Sequence, residues 1–280
     1  MNDIVGLQPV VDIIALALQS SFVENEKNGC SIVLVSKPEA CKTTAIFKFN
    51  GLKHVSYYDE ITQKKLIDEF LPFVRNKQKR TLMIPDLINC TEKQRSTRDQ
   101  FLNIIKSGKD DNGIVQISTA FKLLSPTEIQ GMIQPLRFNL ITAITSDSMG
   151  KIEKFMKQTG LQSRLLFFSY DYPISLIQRV MAGMRGEELK KGIVKIPTIT
   201  TEDTIVQGDA DLFKGFEMLS SKIAMRYEGF GIRAQSNLQR LAKANALLNK
   251  RKKVKQEDID KVIELSNWIN LSFNTIGVTA

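Results

Sequence analysis

The sequence predicts an α/β protein: a five-stranded parallel sheet sandwiched by helices, followed by a C-terminal helical lid. Three observations carry that expectation. Five short runs rich in Val, Ile, Leu and Phe alternate with segments of helical period over residues 1–175. The runs are continuously apolar, as strands covered by helices on both faces must be. Beyond residue 175 strand signals thin out and amphipathic helical patterns take over, so 1–175 is expected to be one α/β unit and 176–280 a mostly helical one.

The elements follow in order. Residues 8–22 place Val11, Ile14, Leu16 and Leu18 at helical spacing before the polar break ENEKNG. CSIVLV (30–35) is the first strand and TTAIFKF (43–49) the helix after it. HVSYYD (54–59) is the second strand, and QKKLIDEFLPFVR (63–75) a helix with Leu66, Ile67, Phe70 and Phe73 on one side. RTLMIPD (80–86) is the third strand, and EKQRSTRDQFLNIIKSG (92–108) a polar-faced helix closed by Gly108. GIVQIST and an irregular loop carrying SPTEIQG lead to the fourth strand, FNLITAIT (138–145). A helix, KIEKFMKQTG (151–160), precedes the fifth strand, RLLFFSY (164–170). GIVKIPTITTEDTIV (192–206) reads as an irregular hairpin. In the last third, Leu238, Leu241, Ala242 and Leu248 share one helix face, and Ile259, Val262, Ile263 and Ile269 share another.

Composition bounds the function. With 42% hydrophobic and 25% charged residues, 280 residues can bury a substantial core. A net charge of +9 and a pI near 9.4 suit an acidic partner such as nucleic acid, ATP or an anionic surface, or serve solubility alone. Three cysteines, Cys30, Cys41 and Cys90, with a single histidine, His54, argue against a disulfide framework or a zinc site and for a reducing cytoplasm. The apolar N-terminal stretch is interrupted by Asp12 and lacks a basic leader, so neither a targeting signal nor a membrane segment is expected.

The chemistry concentrates in SIVLVSKPEACKTTAIFKF (31–49): an apolar strand, a short loop, then Lys-Thr-Thr opening a helix. A phosphate loop works because backbone N–H groups wrap the phosphates, lysine reaches the β/γ oxygens and a hydroxyl holds Mg²⁺. Against GxxxxGK[ST], the loop Ser36, Lys37, Pro38, Glu39, Ala40, Cys41 keeps Lys42 and Thr43, with Thr44 following, and replaces both glycines. Ser36 and Cys41 are expected to fit only where φ is not strongly positive. Some forty residues on, an apolar strand ends in Asp86, placed as the acid that completes a magnesium shell. The bland alternative is that Lys42 merely opens a solvated helix and Asp86 caps the next element.

Taken as a whole, the chain resembles the AAA+ P-loop ATPases, and among them the minichromosome-maintenance helicase branch. IVGLQPVVDIIALAL is similar to the family's entry segment, which implies that Ile4, Val5 and Gly6 pack the adenine. That branch uses a small non-glycine residue before the loop lysine, as Cys41 is here. TLMIPDLIN resembles the second nucleotide strand, giving Asp86 the magnesium role beside Thr43, but Leu87 stands where the family has the glutamate that orients water. LITAITSD looks like the sensor strand, so Thr145 or Ser146 would face the γ-phosphate. GLQSRLLFFSYDYP is similar to the arginine-finger segment and implicates Arg164, acting on a neighbouring copy. The span 233–268 resembles the branch's lid, making Arg233 the second sensor, with Lys255 standing where a Ser or Thr cap is expected. Residues 192–207 and the last ten match nothing in the resemblance, and the separate DNA-binding and zinc modules of replicative helicases are not among its segments.

The resemblance implies ATP and Mg²⁺ as cofactors and a homo-oligomeric ring or filament as the working species. Without the glutamate, with only Glu39 and Glu92 nearby in sequence, slow turnover or turnover switched on by assembly is expected. Three readings stand: a motor on nucleic acid, a nucleotide-dependent assembly or adaptor protein, and an ATPase remodelling a protein partner. The loop 109–137, with Lys109, Phe121, Lys122 and Arg137, is a candidate nucleic-acid contact, whereas NKRKKVK (249–255) reads as a solvated turn.

Overall fold

The computed structural model describes residues 6–26, 28–62, 65–88, 137–158, 160, 162–171, 174, 177–178, 181–182, 194–227 and 231–266. The helix expected at 92–108, the runs at 113–119 and 125–131, the bulk of the 109–137 loop, and Ile4, Val5, Cys90, Glu92 and Ile269 lie outside these residues. Among the described residues no helix is long and apolar enough to cross a membrane.

Helix α1 (Gln8–Ser20) is followed by β1 (Ile32–Ser36), α2 (Lys42–Phe47) and β2 (Val55–Tyr57). A π-helix (Lys65–Phe70) runs into α3 (Leu71–Arg75), and β3 (Thr81–Ile84) follows. Then come β4 (Asn139–Thr145), α4 (Ser146–Gln158) and β5 (Leu166–Ser169). The five strands form one sheet in the order β2-β3-β4-β1-β5, parallel at each pairing. Every residue of β1 is buried, with Ile32 opposite Ile141 and Leu166, and Ser36 opposite Thr145. β1 lies inside the sheet, between β4 and β5, as a strand apolar from Ile32 to Val35 must; the three-residue β2 sits at the edge.

Two apolar clusters fill the two sides of the sheet. Leu34, Ile141 and Phe168 belong to the first, with α1; Val33, Leu140 and Phe167 belong to the second. Alternation along the strands sorts neighbours to opposite faces. Helix α1 is buried nearly all round, with Val11, Ile14 and Leu18 fully inaccessible. Each such side chain contributes about 1.5–3 kcal/mol of burial. Asn139 ties the layers by polar means: its amide donates to the carbonyls of Ala17 (2.6 Å) and Cys30 (3.1 Å) and accepts from the Thr81 hydroxyl (2.6 Å).

The C-terminal part holds α5 (Ala210–Phe213), α6 (Glu217–Tyr227), α7 (Ile232–Leu248) and α8 (Gln256–Ser266). Helix α7 packs between α1 and α8. Leu238, Leu241 and Ala242 are buried and Leu248 packs beside them, as the helical period requires. Ile259 and Val262 are buried too, but Ile263 is 37% exposed, so the apolar face of α8 is narrower than the sequence pattern. The missing cap at Lys255 is supplied from inside the helix. Asp258, fully buried, accepts from the Lys255 N–H (2.9 Å), from Arg251 at 2.7 and 2.8 Å, and from Asn245 at 2.7 Å. This is the back-reaching half of a capping box, and the four donors offset the cost of burying the carboxylate.

The stretch expected as a hairpin at 192–206 forms none over its described residues. It runs instead as a strap along α1, pinned by amide side chains that exchange hydrogen bonds with its backbone as a strand would. Gln8 pairs with Lys195, Gln19 with Thr200 and Asn25 with Val206, each through one donor and one acceptor.

Candidate functional site

The loop from Ser36 to Cys41 leaves the C-terminal end of β1, where a parallel sheet opens a crevice. Its backbone takes left-handed angles at two positions, Glu39 (φ 63°) and Cys41 (φ 58°, ψ 20°). The expectation that Cys41 would fit only without positive φ is therefore overturned. The loop keeps the bend that glycine would ease and holds a Cβ in it, a strain of roughly 1–2 kcal/mol per residue.

What holds the strained loop is Tyr170, which the sequence reading passed over. Its hydroxyl donates to the Ala40 carbonyl (2.8 Å), its N–H to the Val35 carbonyl (3.1 Å), and its carbonyl accepts from the Ser36 hydroxyl (2.6 Å). One residue just past β5 thus fastens both ends of a loop that belongs to β1. Its only signal in the sequence was position: the first large polar group after an apolar strand.

Lys42 is folded inward, 9% exposed, and its Nζ donates to the carbonyls of Ser36 (2.9 Å) and Lys37 (2.5 Å). Burial lowers its pKa, while the Asp86 carboxylate acts in the opposite sense. Asp86 accepts from the Ile88 N–H (3.1 Å). Thr43 and Thr44 are exposed on the first turn of α2. Gly6 (φ 75°) precedes α1, but its partners in the entry segment, Ile4 and Val5, lie outside the described residues.

At the end of β4, Thr145 stands beside Ser36 in register, and its hydroxyl accepts from the Ser148 N–H (3.4 Å). The Ser146 hydroxyl is buried with no hydrogen-bond partner, an orphan of the kind a polar ligand or water satisfies. Leu87 is fully buried in the second apolar cluster, and its N–H donates to Ala143. At Leu87 the chain offers packing where water activation would need a carboxylate. Lys42, Asp86, Thr43 and the strand ends at Thr145 and Ser146 are brought to one edge of the sheet, and together they fit a triphosphate with its magnesium ion: a flexible cation, a carboxylate, hydroxyls and an orphan polar atom around a strained loop.

Arg164 and Arg233 are not brought there. Arg164 lies two residues ahead of β5, level with the start of β1, so about 20 Å of strand separates it from the loop. Its guanidinium donates to the Gly160 carbonyl (2.6 Å), a contact that Gly160 permits because a Cβ there would stand 3.2 Å from Arg164 Nη1. Gly231, at φ 75°, turns the chain into α7 and brings Arg233 to the same place. Arg233 donates to the Ser163 hydroxyl (2.7 Å). Burial first, and the charge of Arg233 second, lower the pKa of Arg164. Among the described residues neither arginine has a carboxylate partner, and the two cations lie together in one patch.

An all-parallel sheet in this order, a phosphate-type loop after the interior strand β1 and a C-terminal helical part fit an α/β AAA+ fold. Residues 219–266, less than a fifth of the chain, match the family model of the AAA lid domain. A search of curated proteins finds no match.

Proposed function

We propose that this protein is an ATP-binding AAA+ module that works as an oligomer, with residues 1–175 as the nucleotide core and 176–280 as the lid, and that it drives movement on nucleic acid in the manner of the minichromosome-maintenance branch. One observation carries the reading: Arg164, ahead of β5, and Arg233, beside it on α7, have no carboxylate partner among the described residues and lie at the opposite end of the strands from the nucleotide loop, so a site that uses all three takes two copies of the chain.

In this reading Lys42 releases its two carbonyl partners and turns to the β/γ oxygens. Bound ATP and Mg²⁺ supply a polarised γ-phosphoryl group; Thr43 and Asp86 hold the ion, and Ser36 to Thr44 form the cradle. The Ser146 or Thr145 hydroxyl steadies the γ-phosphate end, and Ile4, Val5 and Gly6 flank the base. Arg164 and Arg233 reach from the adjoining copy toward the charge that develops on transfer. Leu87 supports a second reading, an assembly or adaptor protein in which nucleotide sets the oligomeric state and turnover is slow.

Calorimetry with ATP or ADP plus magnesium, then turnover with and without DNA, tests both. Binding together with DNA-stimulated turnover supports the motor, and binding without turnover supports the adaptor. Stimulation by a protein alone points to a protein-remodelling ATPase. No heat at millimolar nucleotide ends the reading.

A further inference from the structure

The turn between α7 and α8, expected to be no more than solvated charge, is rigid. Lys250 takes φ 57° and closes α7: its N–H donates to the Leu247 carbonyl and that of Arg251 to Ala246, both at 2.8 Å. The chain then runs extended, bridged in parallel from Lys253 to Gln207, with Gln207 N–H donating to Lys252 and Val254 N–H to Gln207, each at 2.9 Å. Val254 is buried and anchors the turn from beneath. Arg251 is occupied by Asp258 and Glu257. That leaves Lys250, Lys252, Lys253 and Lys255, none of which has a carboxylate partner among the described residues.

Arg251, Lys252, Lys253 and Lys255 line a shallow groove of about 490 Å³ with Ile205 and Gln207. We propose that this groove binds the phosphodiester backbone of a nucleic acid without regard to base sequence. Three groove lysines without a carboxylate partner among the described residues, Lys252, Lys253 and Lys255, with Lys250 on the same turn, suit a line of phosphates, and the backbone order is already present before binding. No aromatic ring lines the groove to stack a base. A membrane surface fits less well: the face is concave and carries one exposed aliphatic side chain, Ile205. The proposal rests on the nucleic-acid part of the reading above and is independent of the nucleotide loop.

The test is fluorescence anisotropy of labelled single-stranded DNA, duplex DNA and RNA, titrated with full-length chain at several salt concentrations. K250A/K252A/K253A/K255A is compared with K151A/K154A on exposed positions of α4. The quadruple variant is expected to lose at least tenfold in affinity, and its salt slope to shrink by about 0.7 per lysine for a single strand or about 0.9 for a duplex; the control keeps both. The three probes show which backbone is preferred. An unchanged circular-dichroism spectrum and thermal midpoint show that the quadruple variant is folded, and if it unfolds, K252Q/K253Q carries the same test with about half the change in slope. Equal loss in the control, or wild-type affinity in the quadruple variant, overturns the groove but not the nucleic-acid reading. No nucleic-acid binding by the wild type, or lysine-dependent binding only to phosphatidylserine vesicles or polyglutamate, overturns both.

Discussion

The two edges of the sheet solve opposite problems. At the C-terminal edge the chain is a strained loop with one inward-folded cation, Lys42, held by its own carbonyls and by Tyr170. At the N-terminal edge cations crowd just ahead of the strands: Arg80 before β3, Arg137 before β4 and Arg164 before β5, with the neutral imidazole of His54 before β2. Some of these are structural. Arg80 pairs with Asp203 of the strap at 2.6 Å and lies 5.8 Å from the centre of the Phe22 ring. Arg164, with Arg233, has no such partner among the described residues. In the proposed reading the loop edge changes when an anion arrives, and the far edge holds charge for which the described residues of its own chain supply no carboxylate.

The largest expected effect tests whether the edges belong to one site. Arg164→Ala is expected to leave nucleotide affinity unchanged and lower turnover about 10³-fold. Lys42→Ala weakens affinity itself, by about 10- to 100-fold for a charge-assisted contact. Mixing the two inactive variants then restores part of the turnover, because a Lys42 loop from one copy meets an Arg164 from the other. Steady-state ATPase assays on the mixture decide the matter; two variants that stay inactive together would mean that the edges do not meet.

The next effect is confined to the far edge. His54, the chain's only histidine, has its pKa lowered to about 4 by burial first and then by Lys79 and Arg80. Above pH 6.5 it is neutral folded and unfolded, and contributes no pH dependence. Between 6.5 and 4 the unfolded chain takes up a proton that the folded chain refuses, so stability falls by up to about 3 kcal/mol as pH drops through that window. Urea unfolding at stepped pH should show the loss in wild type and a flatter profile in His54→Asn. Identical profiles would show that the loss comes from other groups.

How much of this was legible follows from which contacts are local. The five strands read to within a residue or two because burial on both faces leaves a continuous apolar signal. The helix expected at 151–160 begins at Ser146 instead, since Thr145 passes from strand to helix with no turn residues between. Phe73, expected on the buried face, is 43% exposed. The π-helical turn adds a residue before it and rotates the face, so Leu71 and Val74 are buried instead. At 192–206 alternating residues looked like paired strands, but the partners are the side-chain amides of Gln8 and Gln19 on α1 and of Asn25 beyond it, with one backbone bridge from Thr204 to Val23, which no strand pattern can reveal. Lys42 and Asp86 were legible from residue type and spacing. The position of Arg233 beside Ser163 was not, because it depends on how α7 docks.

The smallest expected effect sits at the loop edge and isolates Tyr170. Tyr170→Phe keeps the ring packed and the two backbone contacts, and removes only the bond from the hydroxyl to the Ala40 carbonyl. If that bond holds the left-handed bends at Glu39 and Cys41, its loss loosens the loop before nucleotide arrives, at a cost of about 1 kcal/mol, or roughly fivefold in nucleotide affinity. Cys41→Gly in the same background should recover part of that loss, because glycine accepts the bend without a Cβ penalty. Recovery in the double variant would mean that Tyr170 serves the nucleotide by bearing loop strain. A loss that glycine leaves untouched would assign Tyr170 to packing at the end of β5, and the strain at Cys41 would then be sustained by α2 alone.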